Sequence, residues 1–202
     1  LFLTLTYAEN MTDPKKLYDD IRKFVMRLKY HFKDESTIDY INVVEPQGRG
    51  AWHCHVLLRF NELEKIFIPN QEMAEIWGHG FVTIKSMQNV DNIGAYLSAY
   101  LADIELKDGS ALYAMEHGLE VVEKEIEGQK KIFIKGGRLH LYPTGMNLYR
   151  KSAGVKFPER KKMKYSEAIK KVGSVQPHFT NDIQISIDDF ENTIAYEQYN
   201  SK

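Results

Sequence analysis

Residues 37–60 read TIDYINVVE, PQGRG, AWHCHVLLRF: two β-rich runs around a turn with two glycines. This is the strongest local constraint in the chain. Runs rich in Val, Ile and aromatic residues around a Gly-containing turn predict a β-hairpin. Residues i and i+2 of a strand face the same way. His53 and His55 therefore project together, and Cys54 projects to the opposite side. Glu45 closes the first run, and tight pairing across the turn brings it to the face of the two histidines.

The flanking sequence sets the architecture. LFLTLTY, residues 1–7, reads as a strand. Asp13-Pro14 opens a helix whose apolar positions Leu17, Ile21, Phe24, Val25, Leu28 and Phe32 follow a 3.6-residue period. A short helix is expected over 70–77, a strand over 81–87 and a helix over 90–104. The resulting order, β-α-β-β-α-β-α, predicts an α+β fold. Its core is a central antiparallel sheet of ferredoxin-like or RRM-like β-α-β-β-α-β type, with helices mainly on one face. Further on, 108–117 reads as helical, a second hairpin is centred on Glu127-Gly128-Gln129, and 158–171 reads as a basic helix. We expect one domain over 1–172 and an acidic, flexible tail or linker over 173–202. The abrupt apolar start, without Met, suggests a piece of a longer protein.

Composition excludes some chemistries. A single cysteine makes no internal disulfide and no multi-thiolate zinc site. No apolar run is long enough to span a membrane, and no signal peptide is visible, so no membrane partner and a cytoplasmic setting are expected. The net charge of −1 hides an asymmetry. Residues 150–171 carry nine Lys/Arg against Glu159 and Glu167, and 172–202 carry five acids against Lys202. Such a basic run is a solvated helix face or a polyanion contact.

Two imidazoles and one carboxylate on neighbouring strands form a set able to hold Mn²⁺, Mg²⁺ or Zn²⁺ with positions left open for substrate. The same residues also fit a half-buried strand with incidental histidines. Cys54 reads as a small core residue. In NIGAYLSAYLAD, Tyr96 and Tyr100 are spaced i, i+4 on one side of a helix, with Leu97 on its core-facing stripe. Near a metal a tyrosine hydroxyl is a candidate nucleophile. Tyr96, further round the flank, is the better presented of the two. Packing with a wet hydroxyl is the other reading.

Together these stretches resemble the HUH endonucleases, specifically rolling-circle replication initiator (Rep) proteins of phages and plasmids in their two-tyrosine form. The match runs in order through FLTLTY (2–7), EPQGRGAWHCH (45–55), IWGHGFVTIKSM (76–87) and IGAYLSAYLAD (93–103), with a weaker likeness at RKSAGVKFP (150–158). The resemblance implies site-specific nicking and joining of single-stranded DNA at a replication origin. His53, His55 and Glu45 would hold a divalent ion, Mn²⁺ or Mg²⁺. Tyr96 or Tyr100 would attack the scissile phosphate, giving a 5′-phosphotyrosine and a free 3′-OH. The implied partners are single-stranded or hairpin origin DNA, with a host helicase and polymerase. Arg49, Arg150, Lys151 and Lys156 become DNA-contact candidates, and Trp52 and Trp77 are either base platforms or core. His79 reads as structural. The family commonly has Lys three residues after each tyrosine, where this chain has Ala99 and Asp103. A two-tyrosine transposase with the same chemistry and a non-catalytic RRM-like binding module are the alternatives. A conjugative relaxase fits less well, because its tyrosine precedes the histidine motif.

Overall fold

Strand β1 (Phe2–Tyr7) alternates strictly, with Leu3, Leu5 and Tyr7 buried on one side and Thr4 and Thr6 half-buried on the other. The computed structural model describes residues 1–47, 50–87, 94, 97, 103–106, 118–126, 129–187 and 190–199. Helix α1 (Pro14–His31) begins where expected. The Asp13 carboxylate accepts from the amides of Lys15 (2.8 Å) and Lys16 (3.3 Å), capping the first turn. Its buried stripe is Leu17, Asp20, Ile21, Phe24, Val25 and Leu28.

Strands β2 (Ile38–Pro46) and β3 (Trp52–Phe60) form the predicted hairpin, paired from Ile38↔Phe60 to Pro46↔Trp52. Helix α2 (Asn70–Trp77) follows and ends at Gly78. Strand β4 (Gly80–Lys85) then pairs antiparallel with β1. After a second, smaller sheet comes β8 (Tyr149–Lys151), which pairs with β2. The main sheet is five-stranded and antiparallel, ordered β4-β1-β3-β2-β8. Its first four strands and two helices have the ferredoxin-like connection. The residues of α1 and α2 share one core with the sheet positions Leu3, Leu5, Val44, Cys54, Val56, Leu58 and Val82, so these helices cover one face.

The small sheet is β5 (Ile104–Leu106), β6 (Val121–Ile126) and β7 (Gln129–Ile134), ordered β5-β7-β6. The pairing of β6 with β7 realises the predicted second hairpin. The β7 residue Phe133 clusters with Phe2, Val43 and Leu97 on the other face of the main sheet.

Three local expectations change. Most of 90–102, and all of 108–117, lie outside the described residues. Gly94 and Leu97 are helical, but Ile104 is in β5 rather than a helix. Asp103 explains the break, since its carboxylate accepts from the Gly136 amide at 2.8 Å and ties the chain to the small sheet. The basic helix is shorter than expected: α3 runs Tyr165–Val172. Residues 160–162 and Lys164 pack like charges into one turn, which disfavours a helix there. Residues 173–202, expected to be loop-like, contain a hairpin of β9 (Phe179–Ile187) and β10 (Phe190–Gln198). The chain divides into Leu1–Lys156 and Phe157–Lys202, the latter holding α3 and this hairpin. Among the described residues no helix is long and apolar enough to cross a membrane.

The packing of β4 and α1 against β1 can be tested at two residues. Gly80 has φ 154°, and a Cβ there would collide with the backbone at Thr6 O and Ala8 N. Gly80→Ala is expected to cost about 3 kcal/mol in urea unfolding, because backbone on both sides must move. Asp20 is buried, with Tyr7 Oη at 2.9 Å, Lys16 Nζ at 2.6 Å and His79 Nε2 at 3.4 Å. Burial alone would raise its pKa, but the hydrogen bonds from Lys16 and Tyr7 outweigh this and hold it below the ordinary aspartate value. A depressed carboxylate stabilises the fold above its unfolded pKa and loses that contribution as pH falls through its folded value. Asp20→Asn should therefore flatten the fall in melting temperature between about pH 4 and pH 2.

Candidate active site on the histidine face

Pairing between strands builds the site row by row. Glu45 lies directly opposite His53, and His53 opposite Thr6. One row along, Val43 lies opposite His55, and His55 opposite Thr4. Glu45, His53 and His55 thus share the sheet face away from α1 and α2. Cys54 occupies the other face, fully buried, and burial pushes its thiol well above the ordinary range.

The side chains are held from several directions. His55 Nε2 lies 2.6 Å from Glu45 Oε2, and His55 Nδ1 lies 3.1 Å from Thr4 Oγ1. An ionised carboxylate only accepts, so Nε2 carries the proton here. The Phe2 ring stacks on His55, 5.5 Å between centroids. His53 Nδ1 is 3.1 Å from the Gln47 amide nitrogen. Glu45 and His55 are both buried. Burial would raise the Glu45 pKa, but the His55 hydrogen bond, together with the charges of His55, Arg138 and His53, keeps it lowered.

Arg138 is the residue that sequence reasoning missed. It follows the Gly136-Gly137 turn after β7, and its Nη1 forms an ion pair with Glu45 Oε1. The same nitrogen lies 3.3 Å from Pro46 O, and Nε donates to Asp103 O at 2.8 Å. Asp103, noted above as a departure from the family's Lys, thus anchors this guanidinium. No periodicity in the sequence signals a contact between positions 93 residues apart.

Other candidates separate by face. Lys151 lies opposite Ile41 and shares the histidine face, with Nζ donating to Val155 O. Arg150 lies opposite Asn42 and faces α1, its guanidinium 3.7 Å from the Tyr18 ring centroid. Lys156 is exposed. Trp52 and Trp77 are buried, their indole nitrogens bonded to Thr12 O (3.0 Å) and Thr6 O (3.2 Å), so both belong to the core. Tyr96, Tyr100 and Arg49 lie outside the described residues. Leu97, beside Tyr96 in sequence, is buried with Phe2 and Val43 on the histidine face.

The donor types suit a divalent ion, and two of the three candidate ligands already touch. Among the described residues, however, no three His, Cys, Asp or Glu side chains converge as a metal cluster. In the arrangement seen, Arg138 supplies the positive charge against Glu45.

A family model for replication-associated proteins of the ORF2 type matches residues 1–105. The chain belongs to this family. The matched region holds every strand and helix that builds the histidine face except β8 and the small-sheet strands after β5. No curated protein and no solved structure matches the chain. As a replication-associated protein it has DNA as its partner class.

The Glu45–Arg138 pair gives a direct test. Arg138→Leu strands a buried carboxylate and should lower the unfolding free energy by about 3 kcal/mol. Adding Glu45→Gln removes the stranded charge, so the double variant should be more stable than Arg138→Leu alone in urea melts.

Proposed function

We propose that this replication-associated protein nicks and rejoins single-stranded DNA at a replication origin by HUH-type tyrosine chemistry. The observation that carries the reading is the Glu45–His55 contact beside His53 on one sheet face, within the family-matched segment. The packing of Leu97 on that face supports Tyr96 or Tyr100 as the nucleophile.

In this reading the phenol oxygen of Tyr96 or Tyr100 attacks the scissile phosphorus. A Tyr O–P bond forms, the P–O3′ bond breaks, and the phenolic proton balances the proton gained by the leaving 3′ oxygen. The products are a 5′-phosphotyrosine and a free 3′-OH that primes synthesis. Held by Glu45, His53 and His55, Mn²⁺ or Mg²⁺ would polarise the scissile phosphate. Thr4 fixes the His55 ring through Nδ1, and Phe2 excludes water from its flank. The second tyrosine serves a second transesterification that rejoins the strand.

The test is a covalent-adduct assay on single-stranded origin DNA with Mn²⁺. Wild-type protein should form an adduct, and Tyr96→Phe combined with Tyr100→Phe should abolish it. His53→Ala should slow adduct formation by on the order of 100-fold. Binding without any adduct, with or without metal, would replace the nickase reading with that of a non-catalytic binding module.

A further inference from the structure

The edges of the histidine face carry a pattern that the nicking chemistry does not use. Phe81 on β4 lies opposite Thr6, in the row of His53 and Glu45. Tyr149 on β8 lies opposite Val43, in the row of His55 and Thr4. Directly paired residues share a face, so both rings stand on the side of the histidines, one at each edge of the sheet. They are 69% and 53% exposed, although the interior of the same face is covered at Phe2 and Val43. A third row repeats the arrangement with charge: it runs Lys85, Phe2, Leu57, Ile41, Lys151. Each edge strand therefore presents one exposed aromatic ring and one lysine toward the same side.

A ring left exposed on an edge strand contributes little to the fold. The polar positions Thr6 and Thr83 beside Phe81 make no apolar patch with it that would bind another protein surface. An aromatic plane with an ammonium beside it matches single-stranded nucleic acid, which offers a base to stack and a phosphate to neutralise. Four strand spacings of about 4.8 Å separate β4 from β8, so the two rings stand about 19 Å apart across the sheet. That span covers a few nucleotides, with Glu45, His53 and His55 between its ends.

We propose that Phe81 and Tyr149 are base-stacking grips for single-stranded DNA on either side of the histidine site, with Lys85 and Lys151 holding the adjoining phosphates. The strand crosses the sheet from one edge to the other, and the scissile phosphate is suspended between two stacked bases. The inference rests on the single-stranded DNA reading above and adds residues outside the chemical centre.

The test is fluorescence anisotropy with a short labelled oligothymidylate, in EDTA so that no cleavage intervenes. Phe81→Ala and Tyr149→Ala should each weaken binding roughly 5- to 100-fold, with the salt slope unchanged. Phe81→Tyr and Tyr149→Phe should restore it, because stacking needs the ring and not the hydroxyl. Lys85→Gln should reduce the salt slope by about 0.7. Duplex of the same length, which offers no open base, should be bound alike by wild type and both alanine variants. Unchanged oligothymidylate binding in the alanine variants overturns the inference, as does equal weakening on duplex, or wild-type protein that binds no oligothymidylate. The adduct assay separates the two readings. Adduct formation with stacking variants that bind normally sinks only the grips. Stacking losses without any adduct sink only the nicking chemistry.

Discussion

A one-residue slip between β2 and β3 would turn Glu45, His53 and His55 into the helix-covered core and bring Val44 and Cys54 out. The period of a strand is two, so register decides at once which side chains meet which surroundings. Here the register is fixed from both faces. Val44, Cys54, Val56 and Leu58 are buried against α1 and α2, and on the other face Glu45 meets His55. The apolar core thus aligns the polar site, and the histidines need no local device of their own to hold them in place.

The Glu45 carboxylate sits at the junction of three segments far apart in sequence: β2, β3 and the turn after β7. Taking a charge out of water is costly, and an ion pair with Arg138 returns only part of that cost. What such a pair does well is fix geometry. Arg138 is itself held by Asp103 O and Pro46 O, so the carboxylate has one orientation. The small sheet, which looks peripheral in the order of elements, is thereby tied to the centre of the candidate site.

Much of the arrangement was legible because it is local. The α1 stripe, the Asp13 cap, the β2–β3 hairpin and α2 follow from periodicity and turn residues within short windows. The shared face of Glu45, His53 and His55 follows from counting along two strands. Arg138 was not legible, since a charged residue after a Gly-Gly turn looks like any solvated cation until the fold closes. The end of the helix before Asp103 was hidden for a similar reason: the Gly136 amide that competes for its carboxylate comes from another sheet. The β9–β10 hairpin was concealed by composition. Its apolar residues Phe179, Ile183, Ile187, Phe190 and Ile194 all lie on one side by register, but acidic neighbours dominate the average.

Cys54 has so far been the inert residue between two candidate ligands. It is fully buried, its thiol is far from ionising, and it pairs directly with Val44 at the centre of the hairpin. Alkylating reagents attack the thiolate, so they reach this sulfur only when the middle of the sheet comes apart. As the only sulfhydryl in the chain, it is a built-in clock: its labelling rate reports how often the scaffold of the site opens, with no engineered probe.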